Sequence, residues 1–158
     1  MLLELEAALK AAGDPTRTRI LKLLEAGPLC VCQVQAVLGL APSTVSKHLT
    51  LLKSAGLVTD QRDGRWIHYA LAVEGRNPHA RAVLALLRGP LDQESRILED
   101  RRRLRGVKAI PVEALCALPP ARRVPSRLVQ VETSRPVRRA RRSAPARAPS
   151  RSRRPSHA

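Results

Sequence analysis

Between Cys30 and Leu57 the chain reads CVCQVQAVLGLAPSTVSKHLTLLKSAGL, two helical stretches joined by a very short turn. Val34, Val37 and Leu38 recur at helical spacing in the first stretch, and Gly39 supplies the left-handed residue that ends it. Pro42 suits the first turn of the second helix, where its missing N–H costs nothing, and Gly56 stops that helix after Ala55. At about 100° per residue, Val45, Leu49 and Leu52 share a narrow apolar arc, whereas Ser43, Ser46, Lys47, Thr50 and Ser54 gather opposite. A small, hydroxyl-rich face with one cation can enter a major groove. Ser and Thr would meet base edges or phosphates there, and Lys a phosphate or guanine. Taken alone, such a face is more often merely solvated; the segment that follows reverses the balance.

That segment, LVTDQRDGRWIHYAL, holds two short strand-like runs around Asp63-Gly64, a strong hairpin signal, with Arg62 and Arg65 flanking the tip. A helix-turn-helix followed directly by a basic-tipped hairpin is a winged helix. The residues GDPTRTRILKLL (13–24), LCVC (29–32), LGLAPSTVSKHLTLLKSAGLV (38–58) and RDGRWIHYAL (62–71) together resemble the ArsR/SmtB family of metal-sensing repressors, in the family's order, over roughly the first hundred residues. The resemblance implies a mainly α fold with a small β-hairpin wing, dimerised through its first and last helices. It also implies operator contacts from Ser43, Thr44, Ser46, Lys47 and Thr50 on the second helix, and from Arg62 and Arg65 on the wing. One departure is Ala41, where relatives usually carry a hydroxyl cap, so this helix begins less firmly.

Charge agrees with a nucleic-acid partner. The chain carries a net +16, and residues 121–158 hold twelve arginines against one glutamate, so +11 lies there and +5 in residues 1–120. There is no Phe, and Trp66 and Tyr69 are the only aromatics, which argues against base-stacking platforms and for duplex DNA. No uncharged apolar run is long enough to span a bilayer and no signal peptide opens the chain, so a cytoplasmic protein with reduced thiols is expected.

In order along the chain, Leu2, Leu3, Leu5 and Leu9 give a first helix an apolar side. Asp14-Pro15 starts a second helix, carried by Ile20, Leu21, Leu23 and Leu24 and stopped at Gly27-Pro28. After the wing, Gly75 to Pro78 reads as a loop. Val83, Leu84, Leu86 and Leu87 then make a helix over 79–87 too apolar for a lone surface. With the first helix it suits a symmetric dimer, whose two DNA-reading helices about one helical turn apart match a palindromic operator. A charged helix is expected from Asp92 to about Arg105, with Ile97 and Leu104 as its apolar points. The segment PVEALCAL then carries Cys116, and Pro119-Pro120 closes the folded part. The expected division is 1–105, a winged helix-turn-helix and dimerisation domain; 106–120, a short segment; and 121–158, a disordered Arg/Pro-rich tail.

Three cysteines are too few for a disulfide scaffold. Cys30 and Cys32 would sit about 200° apart in a regular helix, too far to share an ion. Cys30, however, falls at the expected cap and Cys32 in an adjustable first turn, where the helix N-terminus should lower a thiol pKa. Closing both sulfurs on one ion would distort or unwind that turn and, because this helix packs against the second one, change the angle between the two DNA-reading heads of the dimer. Inert burial is the alternative. The LCVC sequence resembles the arsenic-sensing branch of the family, which implies As(III) or Sb(III) as inducer, with no permanently bound cofactor. Some relatives carry a third cysteine five residues after the first, where this chain has Gln35; Cys116 could complete the set, within the subunit or across the dimer. His79 stands without a second His for a zinc site, His48 reads as a packing residue, and Trp66 reads as the wing's main core contribution. No nucleophile–base pair, phosphate loop or paired-carboxylate site appears, so no enzyme is expected. A redox or persulfide sensor on the same scaffold, and a constitutive DNA-binding protein with inert cysteines, remain as alternatives.

Overall fold

A computed structural model describes residues 1–123, so most of the basic tail expected over 121–158 lies outside the described residues. The elements run α1 (Leu2–Ala12), α2 (Pro15–Leu24), β1 (Leu29–Cys30), α3 (Val31–Leu38), α4 (Pro42–Ser54), β2 (Val58–Asp63), β3 (Trp66–Leu71), α5 (Ala80–Leu86), α6 (Ser95–Lys108), α7 (Val112–Ala117) and α8 (Pro120–Arg123). The result is a mainly helical winged helix-turn-helix with a small antiparallel sheet. Among the described residues, no helix is long and apolar enough to cross a membrane.

Local chemistry sets these boundaries. Asp14 caps α2 by accepting the Arg17 N–H at 2.9 Å, and Pro15 occupies its first turn. Gly39, at φ 72°, closes α3 and lets α4 start three residues later, so the two helices of the motif are held in contact. Ala41 makes no side-chain cap bond, as its methyl requires. On α4, Val45, Leu49 and Leu52 are fully buried, each stabilising the packing by about 1.5–3 kcal/mol.

The structure departs from the sequence reading in four places. The wing is three-stranded, in the order β1-β3-β2, because the two residues before α3 pair with β3: Leu29 opposite Tyr69 and Cys30 opposite His68. Trp66 stays at the wing tip, where the Arg65 guanidinium lies 5.9 Å from its ring centroid; Tyr69 and Leu71 pack against the core instead. Helix α6 starts at Ser95 because Asp92 is engaged in the preceding turn. It accepts from Lys22 Nζ at 2.9 Å, Arg101 Nη2 at 2.6 Å and the Gly89 N–H at 3.0 Å. These donors, Lys22 first, hold the Asp92 carboxyl well below the usual range. Finally, α6 runs through the expected boundary at 105. Val107 and Leu115 join the same core as Ile20 and Leu49, and α8 carries the fold to Arg123, past the expected start of the tail.

Two buried polar groups tie the frame together. Arg19 grips Asp100 with two bonds of 2.7 and 2.8 Å, fastening α2 to α6. Asn77, within the expected loop, donates to Glu4 O on α1 and to Ala55 O at the end of α4, both at 2.9 Å. Gly56 lies against it at φ 72°, and a Cβ there would stand 2.6 Å from Asn77 Cβ. Gly56→Ala should therefore cost both the left-handed penalty and this collision, roughly 2–4 kcal/mol, and lower the Tm by about 10 °C or more. Thermal unfolding followed by circular dichroism checks this; an unchanged Tm would mean Asn77 can move aside.

Candidate functional site

Cys30 ends β1 and begins α3. Its backbone is extended (φ −86°, ψ 165°), so its side chain leaves the chain in a direction that a regular helix would not allow. Its own N–H is taken by Gln33 Oε1 at 3.0 Å. Cys32 follows in the first turn of α3, half-buried, and α7 packs against α3 and delivers Cys116. The Sγ atoms of Cys30, Cys32 and Cys116 all lie within 4.8 Å of one another, and all three thiols are free. The structure thus brings the three sulfurs together within one subunit. The obstacle of about 200° between the first two does not arise, because Cys30 is outside the helix. Among the described residues no carboxylate or imidazole shares the cluster, so its donor set there is wholly soft.

The Cys30 thiol is not activated in the way expected from the helix N-terminus. Burial pushes the Cys30 thiol up, outweighing its hydrogen bonds. Burial, then the neighbouring Cys32 and Cys30, pushes Cys116 up strongly. Removing a thiolate from water outweighs the partial charge of the helix end, and two neighbouring sulfurs repel a third negative charge.

Sequence reasoning missed what holds Cys116. Gln35, only 2% exposed, donates Nε2 to Pro120 O at 2.9 Å and accepts from Arg123 Nη1 at 2.9 Å. Arg123 also donates to Cys116 O at 2.7 Å and Leu118 O at 2.8 Å. The available signal was two glutamines, Gln33 and Gln35, inside an otherwise apolar helix; both are buried. His79 meets the Met1 carbonyl at 3.2 Å, and His48 sits partly buried with Nδ1 3.9 Å from Asp14.

A second surface lies on the far side of α4. Ser43, Lys47 and Thr50 are exposed, and Thr44 and Ser46 partly so. The Thr50 hydroxyl donates to Ser46 O at 2.9 Å, leaving its oxygen lone pairs to accept from outside. The wing turn is Gly64–Arg65, one residue later than the expected Asp63-Gly64, because Asp63 pairs with Trp66. Arg65 is exposed within the turn and Arg62 on β2 beside it, and Lys53 of α4 pairs with Asp60 of β2 at 2.6 Å, tying helix to wing.

The profile of the bacterial regulatory protein, arsR family, matches residues 14–60. The chain is 42% identical over 64 residues to the arsenical resistance operon repressor of Escherichia coli, covering 40% of this chain and 55% of that protein. It is 33% identical over 111 residues to the arsenic resistance transcriptional regulator ArsR2 of Pseudomonas putida, covering 68% of this chain and 92% of that protein. The chain belongs to the ArsR family. Among solved structures it is similar, at a TM-score of 0.51 and 30% identity, to the homodimeric winged helix-turn-helix DNA-binding domain of a possible ArsR-family regulator from Mycobacterium bovis; the match covers 60% of this chain and 83% of that one. As an ArsR-family protein it is a DNA-binding transcriptional repressor of the winged-helix class, not an enzyme.

Proposed function

We propose that this ArsR-family chain is a homodimeric repressor that leaves its operator when Cys30, Cys32 and Cys116 together take trivalent arsenic or antimony. The observation that carries this reading is the set of three sulfurs within 4.8 Å at the head of the first motif helix. A trivalent pnictogen with a lone pair accepts three thiolates in a pyramid. Each thiol passes its proton to a departing hydroxide of arsenous acid, so three As–S bonds replace three As–O bonds and three waters leave. Protonated thiols suit this exchange, and the raised Cys30 and Cys116 pKa values support it. The same values count against Cys30 or Cys116 as the nucleophile of a redox or persulfide sensor, which is a thiolate.

Two routes run from the sulfurs to DNA. Cys30 heads α3, which packs on α4, and it also pairs with His68 on the wing strand β3. Gathering the sulfurs pulls on the groove-facing helix and the wing at once, which lowers affinity for the operator by favouring the non-binding arrangement. Dimer formation is supported by Leu2 and Leu3 on α1 and Leu86 on α5, which are 78%, 76% and 67% exposed on two helices packed together.

Ser43, Thr44, Ser46, Lys47 and Thr50 are the proposed groove contacts, with Arg62 and Arg65 on the wing. Lys47→Ala and Arg65→Ala should each weaken operator binding by roughly five- to tenfold and flatten its salt slope by about one, with arsenite affinity unchanged. Salt titrations by fluorescence anisotropy measure this, and unaltered binding in both variants would remove α4 and the wing as the contact surface. The functional reading itself is tested by adding arsenite, then peroxide or polysulfide, to the reduced protein on its operator. Release by arsenite alone is expected; release by the oxidants alone would favour the redox sensor, and release by none a constitutive binder.

A further inference from the structure

Cys116 reaches the site on an element that has little else to hold it. Helix α7 is six residues long, has no side-chain cap, and buries a single side chain, Leu115. What secures the segment is polar. Gln35 bonds both Pro120 O and Arg123, and the Arg123 fork spans Leu118 O, Cys116 O and Gln35 Oε1, so one guanidinium grips the carbonyl of the cysteine itself. Gln35 projects from α3, the helix that Cys30 caps and whose first turn holds Cys32. The clasp therefore sets the position of the third sulfur relative to the first two.

We propose that Gln35 and Arg123 are positioning residues that turn a two-sulfur site on α3 into a three-sulfur site, and so set its preference for inorganic arsenite over organoarsenicals. The inference rests on the cysteines being the ligands, as argued above. Arsenous acid has three hydroxides to exchange for thiols and gains from all three sulfurs. An organoarsenical such as phenylarsine oxide, hydrated to two hydroxides, keeps its carbon bond and exchanges with two thiols, releasing two waters. Loosening the clasp withdraws Cys116 from the first compound's complex and takes nothing essential from the second's.

The test compares the full-length protein with Arg123→Ala and Gln35→Ala, titrated separately with arsenite and phenylarsine oxide, with unprotected thiols counted at saturation. In the unsubstituted protein, arsenite should protect three thiols and phenylarsine oxide two. In Arg123→Ala, arsenite should protect two and bind about 10–100-fold more weakly, while phenylarsine oxide affinity changes by less than about twofold. Gln35→Ala should do the same. Operator affinity without arsenite reports that each variant is folded. If the unsubstituted protein protects no thiols, the reading of the cysteines as ligands fails. If it protects three and Arg123→Ala still protects three with the same arsenite affinity, or both compounds weaken equally, the clasp has no positioning role.

Discussion

Cys30→Ser and Cys32→Ser should each keep operator affinity within about twofold of the original and lose release by arsenite, with arsenite affinity falling by at least about 100-fold. Serine replaces one atom and keeps the shape, but its hydroxyl is a hard donor that a soft trivalent centre binds poorly. The fold should tolerate the change at Cys30 especially well. That residue sits extended at the N-cap with Gln33 bonding its backbone N–H, and serine is a favoured residue at such a cap with glutamine three residues on. Both positions lie at the head of α3, Cys30 as its N-cap and Cys32 in its first turn, and not on the exposed face of α4 that holds Ser43, Lys47 and Thr50, so DNA contact has no reason to change. Anisotropy of labelled operator, with and without arsenite, measures both quantities. Variants that no longer bind DNA untreated would show the cysteines to be packing residues, and variants still released would remove them as ligands.

The second large effect is a contrast in pH dependence. Burial holds the Cys30 and Cys116 thiols protonated, so from pH 6 to 8 both lie below their raised pKa values. Arsenous acid stays neutral across this range and carries its own proton acceptors, so thiol protons depart in water and arsenite affinity should be nearly flat. A divalent cation such as cadmium has no hydroxide to give and binds only after each thiol releases its proton to solvent. Its affinity should therefore rise with pH, by up to about tenfold per unit for every thiol that deprotonates. Competition titrations with both ions at pH 6, 7 and 8 would show the difference. An arsenite affinity that falls as pH rises, with cadmium's affinity flat, would mean that the resting site already holds thiolates, because arsenous acid would then need protons from solvent to lose its hydroxides as water.

What the sequence disclosed was local. Asp14-Pro15, Gly39 and Pro42 mark helix ends through φ angles and single hydrogen bonds, and the α4 wheel separated Val45, Leu49 and Leu52 from the polar face correctly. What it concealed depended on partners far along the chain. The strand at Leu29–Cys30 is two residues long and exists only through pairing with His68 and Tyr69. Cys116 could be suspected but not located, since nothing in PVEALCAL says that Leu115 will enter the core beside α3. Gln35 looked only like a missing third cysteine, when its amide fastens the segment that brings another one. The Cys30 pKa was misjudged in sign because a helix end is visible in a sequence and burial is not. Trp66 was read as the wing's main core contribution, although a residue directly after a two-residue turn has little core within reach.

The central claim is that one trivalent centre is held by the sulfurs of Cys30, Cys32 and Cys116. Arsenic-edge X-ray absorption on the arsenite-loaded, full-length protein reads the ligand atoms directly. The account predicts a first shell of three sulfurs with no oxygen, and one of two sulfurs and one oxygen in Cys116→Ser. Arsenic retained with mainly oxygen neighbours, or a three-sulfur shell that survives Cys116→Ser unchanged, would contradict it.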